Sequence, residues 1–250
     1  METHGGVQYG GIVASETEVN LCVPLMVQIP VPAPTKILCI LTAAHHLSTR
    51  AAYCPHSYAT FKYLNNDGTH TSVQVGFNAA LVFERGGHGG KGGYDYCIAA
   101  LDQLGAQHML SAHPSIRPIR VSSAALDPST GPTKGDIMIT VHHGWENSAE
   151  WMAQVPEARR QDEPRNRRKL VQSRVTSIAR NGFSLEYIYQ AGQRSTGGAS
   201  GSPMLDATGA LIGVHRGSQQ GVPLWGVKGD ISLRREKQEE EDYERAAFGA

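Results

Sequence analysis

Short runs of apolar and β-branched residues, each closed by Gly, Pro, Asn or Asp, recur along the whole chain and limit what it can fold into. They run from Val19 to Val27, Ile37 to Leu41, Ala79 to Phe83, Tyr96 to Leu101, Asp136 to Val141, Leu170 to Ile178, Phe183 to Tyr189, Leu211 to Val214 and Leu224 to Val227. The run from Phe183 to Tyr189 alternates in polarity as a half-buried strand does. With 28 glycines and 13 prolines in 250 residues, turns outnumber long helices. An all-β chain of this kind closes into a sandwich or a barrel. The proline-marked stretch from Ser111 to Arg120 reads as a linker between two halves, and Trp145 to Lys169 as a long polar loop. The charged stretch from Leu233 to Ala247 predicts a short C-terminal helix that frays into a tail.

Charge and composition exclude several function classes. The 23 basic and 23 acidic residues cancel, so no global field draws the chain to nucleic acid or to an anionic membrane. Its apolar runs are shorter than the roughly 18 residues that a spanning helix needs, so no membrane partner is expected. The opening Met1-Glu-Thr-His-Gly-Gly6 lacks the basic and apolar regions of a secretion signal. The expectation is an intracellular, cytoplasmic protein or an excised domain. Cys22, Cys39, Cys54 and Cys97 form no CxxC pair, which argues against a zinc ribbon or a redox motif. An even count would permit two disulfides, but Cys22, Cys39 and Cys97 sit in apolar runs where cysteine packs as a small hydrophobe, and buried thiols are the favoured reading.

Three segments carry chemistry. Leu41-Thr-Ala-Ala-His-His-Leu47 closes an apolar strand, Tyr94-Asp-Tyr-Cys-Ile-Ala-Ala-Leu101 sets one acid before a buried-looking strand, and Ser195-Thr-Gly-Gly-Ala-Ser-Gly-Ser-Pro203 is a glycine-rich turn. Acyl transfer needs these residue types. A serine hydroxyl attacks only when a histidine takes its proton. A buried carboxylate holds that histidine's tautomer and stabilises the imidazolium. Backbone N–H groups aimed at the oxyanion contribute about 3–4 kcal/mol each.

On these residues the chain resembles the chymotrypsin-like serine peptidases. Thr42-Ala-Ala-His45 matches their histidine signature, Gly198-Ala-Ser-Gly-Ser-Pro203 their nucleophile signature, and the order His, Asp, Ser is theirs. Ser195 to Pro203 followed by Ile212-Gly-Val-His-Arg-Gly217 is most similar to the glutamyl endopeptidases, and viral 3C-like serine proteases carry a comparable Gly-Val-His strand. The resemblance implies two six-stranded Greek-key barrels: residues 1–115 carrying His45 and Asp95, residues 116–232 carrying Ser200, and residues 233–250 as a charged helix or tail. It implies a polypeptide substrate, no metal or organic cofactor, and an oxyanion hole at the backbone of Gly198 and Ser200. His46 stands where secreted trypsins have a cysteine, and Gly10-Gly-Ile-Val13 has the wrong order for an activation site. A constitutively formed site is therefore expected.

Ser202 is the rival of Ser200, His46 of His45, and Asp102 and Glu84 of Asp95. Adjacent strand side chains diverge, so only one of His45 and His46 faces a cleft. His215 is either a satisfied core histidine or, by the resemblance, the S1 group for Glu or Gln at P1, with Ser195 beside it. Arg194 would repel a basic P1 residue, and Arg216 would favour acidic residues further along the substrate. His142 and His143 read as a barrel edge, and Arg159, Arg160, Arg165, Arg167, Arg168 and Lys169 as a solvated loop without aromatic residues for stacking. Nucleic acid is therefore not an expected partner. The function expected is a serine endopeptidase. Other readings are a protease-fold binding module without useful turnover, or the protease segment of a viral or other polyprotein.

Overall fold

The computed structural model describes residues 11–14, 19–29, 35–46, 58–64, 69–85, 94–113, 116–142, 169–178, 184–190, 199–217 and 219–248. Twelve strands fill most of this length: β1 (Gly11–Ala14), β2 (Val19–Ile29), β3 (Thr35–Thr42), β4 (Tyr58–Leu64), β5 (His70–Arg85), β6 (Tyr96–Leu101), β7 (Ile137–His142), β8 (Lys169–Ile178), β9 (Leu185–Tyr189), β10 (Pro203–Leu205), β11 (Leu211–Gly217) and β12 (Gln220–Pro223). They form two closed barrels, ordered β1-β2-β3-β6-β5-β4 and β7-β8-β9-β12-β11-β10. The two orders are the same Greek key, and every strand pairing is antiparallel. Closure leaves none of the described strands at an open sheet edge.

Long strands turn the barrel corners. β2 pairs with β1 through Val19 to Cys22 and with β3 through Val23 to Ile29. β5 does the same between β4 and β6, with an irregularity between Phe77 and Val82 where it bends.

β3 and β6 are apolar without alternation because both of their faces are buried. Leu38, Ile40, Cys97, Ala99 and Leu101 fill the first barrel with Phe61 and Val75. The alternate residues, Ile37, Cys39, Leu41, Tyr96, Ile98 and Ala100, join the core of the second barrel, with Met138, Tyr187, Met204, Leu211 and Val214. A period of two thus divides these strands between two cores. Cys39 and Cys97 are buried thiols, one on each face. Cys22 lies in β2, and Cys54 lies outside the described residues.

Two helices accompany the strands. Helix α1 (Gln103–Ala112) occupies the start of the stretch expected to be a linker, and buries Ala106 and Met109. Its N-cap is Asp102, whose carboxylate accepts from Gly105 N–H at 2.7 Å. Beyond it, Ile116 and Ile119 are buried as well, and they anchor the described part of the connection. Helix α2 (Leu224–Phe248) is the expected C-terminal helix, and it starts nine residues ahead of the charged stretch that opens at Leu233. It takes in Leu224 to Val227, which had read as a strand. Leu224, Val227 and Ile231 recur at helical spacing and pack on the second core. Pro223 ends the ladder immediately before them. Trp225 lies against the turn at Gly131, where a Cβ would come within 2.7 Å of its ring, so only glycine fits there. The loop expected from Trp145 lies outside the described residues up to 168, and Lys169 opens β8.

Candidate active site

β3 ends at Thr42, and a 3-10 turn (Ala44–His46) carries His45 past the end of the strand. Asp95 lies one residue before β6. Because Thr42 is opposite Cys97 in the antiparallel β3–β6 pair, the end of β3 and the start of β6 lie at the same rim. There His45 Nδ1 and Asp95 Oδ2 are 2.6 Å apart, and the backbone N–H of His45 donates to Asp95 Oδ1 at 3.0 Å. Both carboxylate oxygens thus hold one residue. With its proton on Nδ1 toward Asp95, the neutral ring keeps its lone pair on Nε2. Among the rivals, Asp102 is an exposed helix cap, Glu84 lies in β5 opposite Cys97, and His46 closes the 3-10 turn.

Ser200 lies in the turn leading into β10. Gly201, at φ 80°, takes a left-handed conformation that side-chain-bearing residues rarely adopt. The turn is fastened to β11: Gly201 N–H donates to His215 O at 2.7 Å, and His215 N–H to Ser202 O at 2.9 Å. Ser200 Oγ donates to Arg216 O at 3.2 Å. Ser202 is fully buried, with its hydroxyl turned into the carbonyl of Ala199. The structure therefore joins His45 to Asp95, and Ser200 to the strand that carries His215. Gly198, Ser195 and Arg194 lie outside the described residues, as do His143 and Arg159, Arg160, Arg165, Arg167 and Arg168. His142 ends β7.

His215 is 1% exposed and hydrogen-bonded through Nδ1 to the hydroxyl of Tyr187, itself buried on β9. Tyr187 also lies 3.5 Å from the carbonyl of Gln220. Burial pushes its phenol well above the ordinary value, and Tyr189 beside it adds to the shift. Tyr187 escaped the sequence reading as a functional residue. The alternation of β9 put it on the inner face, and a buried phenol needs a partner. Only the β9–β12–β11 pairing identifies that partner as His215. Arg216 turns along its own hairpin and donates to Gln220 Oε1 at 2.8 Å.

The family profile described as the trypsin-like peptidase domain matches residues 33–214. The chain belongs to the trypsin-like peptidase family. The matched span contains His45, Asp95 and Ser200. No curated protein matches this peptidase. Among solved structures, it is similar to a Glu endopeptidase in complex with MPD, at 13% identity and TM-score 0.55, over 92% of this chain and 91% of that one. Deg5 is similar at 12% identity and TM-score 0.51, over 91% and 87%. The MamO protease domain from Magnetospirillum magneticum, apo form, follows at 10% identity and TM-score 0.51, over 92% and 98%. These structures share the chymotrypsin-type double barrel with this peptidase. No described helix is long and apolar enough to cross a membrane.

Proposed function

We propose that this trypsin-like peptidase is a serine endopeptidase in which Ser200 is the nucleophile, His45 the general base and Asp95 the group that orients it. The observation that carries the reading is the doubly bonded His45–Asp95 pair. A carboxylate so fixed keeps the proton on Nδ1 and steadies the imidazolium that forms when Nε2 accepts the serine proton. The reading requires the Ser200 hydroxyl, which donates to Arg216 O in this structure, to turn toward His45 by a change of χ1 well. Attack on the scissile carbonyl gives a tetrahedral intermediate, whose oxyanion we assign to the backbone N–H groups of Gly198 and Ser200. His45 then protonates the leaving amine, and water releases the acyl-enzyme by the same steps.

For P1 we assign Glu or Gln, read by His215 with Ser195, while Arg194 disfavours basic residues. The Tyr187 bond supports this reading. With Tyr187 donating to Nδ1, neutral His215 presents Nε2–H as a donor to a side-chain carbonyl or carboxylate. With Tyr187 turned toward Gln220 O, the same phenol accepts from an imidazolium.

A binding module without turnover is the second reading, supported by the bond that ties the Ser200 hydroxyl to Arg216. A fluorophosphonate probe distinguishes the two. Labelling that survives Ser202→Ala and disappears in Ser200→Ala is expected of the peptidase, with kcat falling on the order of 10⁶-fold in Ser200→Ala. No labelling under any condition would favour the module. A peptide-library profile dominated by Lys, Arg or a large aromatic at P1 would remove the Glu or Gln assignment and leave the triad untouched.

A further inference from the structure

Helix α2 begins at Leu224 directly after β12, and two turns later reaches across to the first barrel. There Tyr96 Oη donates to Asp230 Oδ2 at 2.8 Å, with the tyrosine fully buried and the aspartate 3% exposed. Tyr96 is the residue after Asp95. The two side chains leave the strand on opposite sides, one toward His45 and the other toward the helix. At its other end, α2 continues β12, which pairs with β11 through His215 opposite Gly221. β11 in turn receives the hydroxyl of Ser200 and the backbone of Gly201.

We propose that Tyr96 and Asp230 are a positioning pair, through which α2 fixes the placement of Asp95 relative to the strand that holds Ser200. The inference rests on Asp95 being the orienter of His45. Docking alone does not call for a carboxylate. Burying one costs free energy, and an apolar residue in its place would seat the helix at least as firmly. What the bond adds is direction. It ties the tyrosine ring, and with it the backbone at Asp95, to one point on the helix, and a displacement of about 1 Å at a catalytic group costs up to 10²-fold in rate.

The test compares Tyr96→Phe, Asp230→Leu and Asp230→Asn in the full chain. Tyr96→Phe and Asp230→Leu are expected to lower kcat about tenfold with KM little changed. Asp230→Asn keeps an acceptor for the phenol and is expected to stay within a few-fold of the native kcat. In proton NMR, the downfield Nδ1–H resonance of His45 should broaden or vanish in the first two variants and persist in the third. This readout does not depend on turnover, and the Asp230 variants supply the comparison if Tyr96→Phe fails to fold. If Tyr96→Phe and Asp230→Leu change only the melting temperature and leave kcat and the resonance as in the native protein, the pair is structural and the proposal is overturned. Asp95→Asn, assayed alongside, separates the two levels: native kcat there would overturn the orienter assignment itself, and this inference with it.

Discussion

A carboxylate that takes one hydrogen bond from a histidine ring and another from the same residue's backbone controls both its position and its tautomer. Asp95 does this for His45. Asp95→Asn leaves the shape intact but offers Nδ1 the wrong partner, so kcat is expected to fall about 10⁴-fold while the melting temperature stays near native. Calorimetry beside steady-state kinetics checks this. Tyr187 makes a second prediction at this scale. Burial raises its phenol pKa above the ordinary value of 10.0, so the fold keeps it neutral where the unfolded chain would ionise. Its contribution to stability is complete below that pH and is lost as pH rises beyond it. Urea midpoints taken between about pH 9 and pH 11 should fall with pH, and fall less steeply in Tyr187→Phe. The motifs made the residues of the proposed triad legible. Tyr187 was not legible as His215's partner, because their contact is made only by strands that the barrel brings together.

Single elements are held by turns whose chemistry is local. Between β10 and β11, Asp206 accepts from Thr208 N–H at 2.8 Å, Thr208 Oγ1 at 2.7 Å and Ala210 N–H at 3.0 Å. Burial opposes its ionisation, but the Thr208 and Ala210 bonds and Arg120 outweigh it and hold the carboxyl below its ordinary value of 3.8. Stabilisation of this sign is present at neutral pH and is lost as pH falls through the folded-state pKa. Asp206→Asn is expected to cost about 1 kcal/mol at pH 7 and progressively less in acid, as read by denaturant melts. The contact of helix α2 with Gly131 is steric. Gly131→Ala drives a methyl into the Trp225 ring and is expected to cost about 1–3 kcal/mol. The same substitution made in Trp225→Ala should cost less, and a double-mutant cycle measures the difference. The expected strand at Leu224 to Val227 failed here for a physical reason. Four apolar residues suit either period, and only Ile231, beyond the charged Lys228 and Asp230, reveals the helical one.

At the scale of the molecule, the outward faces of β3 and β6 belong to the second core, and α2 returns to Tyr96 on the first barrel. Neither half keeps its apolar surface covered without the other. Heat is therefore expected to unfold both barrels in one transition, with calorimetric and van't Hoff enthalpies equal. Two resolved transitions would show that this shared core does not couple the halves.

The sequence by itself determined the all-β class, the apolar runs behind eight of the twelve described strands, β3 and β6 among them, and the identity of the His, Asp and Ser segments. All of these are local patterns of period, turn residue and motif. Tertiary structure alone decided how the outer faces of those strands would be covered, that α2 starts at Leu224 and reaches Tyr96, and that Tyr187 holds His215. These depend on residues far apart in the chain, and their contacts exist only once both Greek keys have closed.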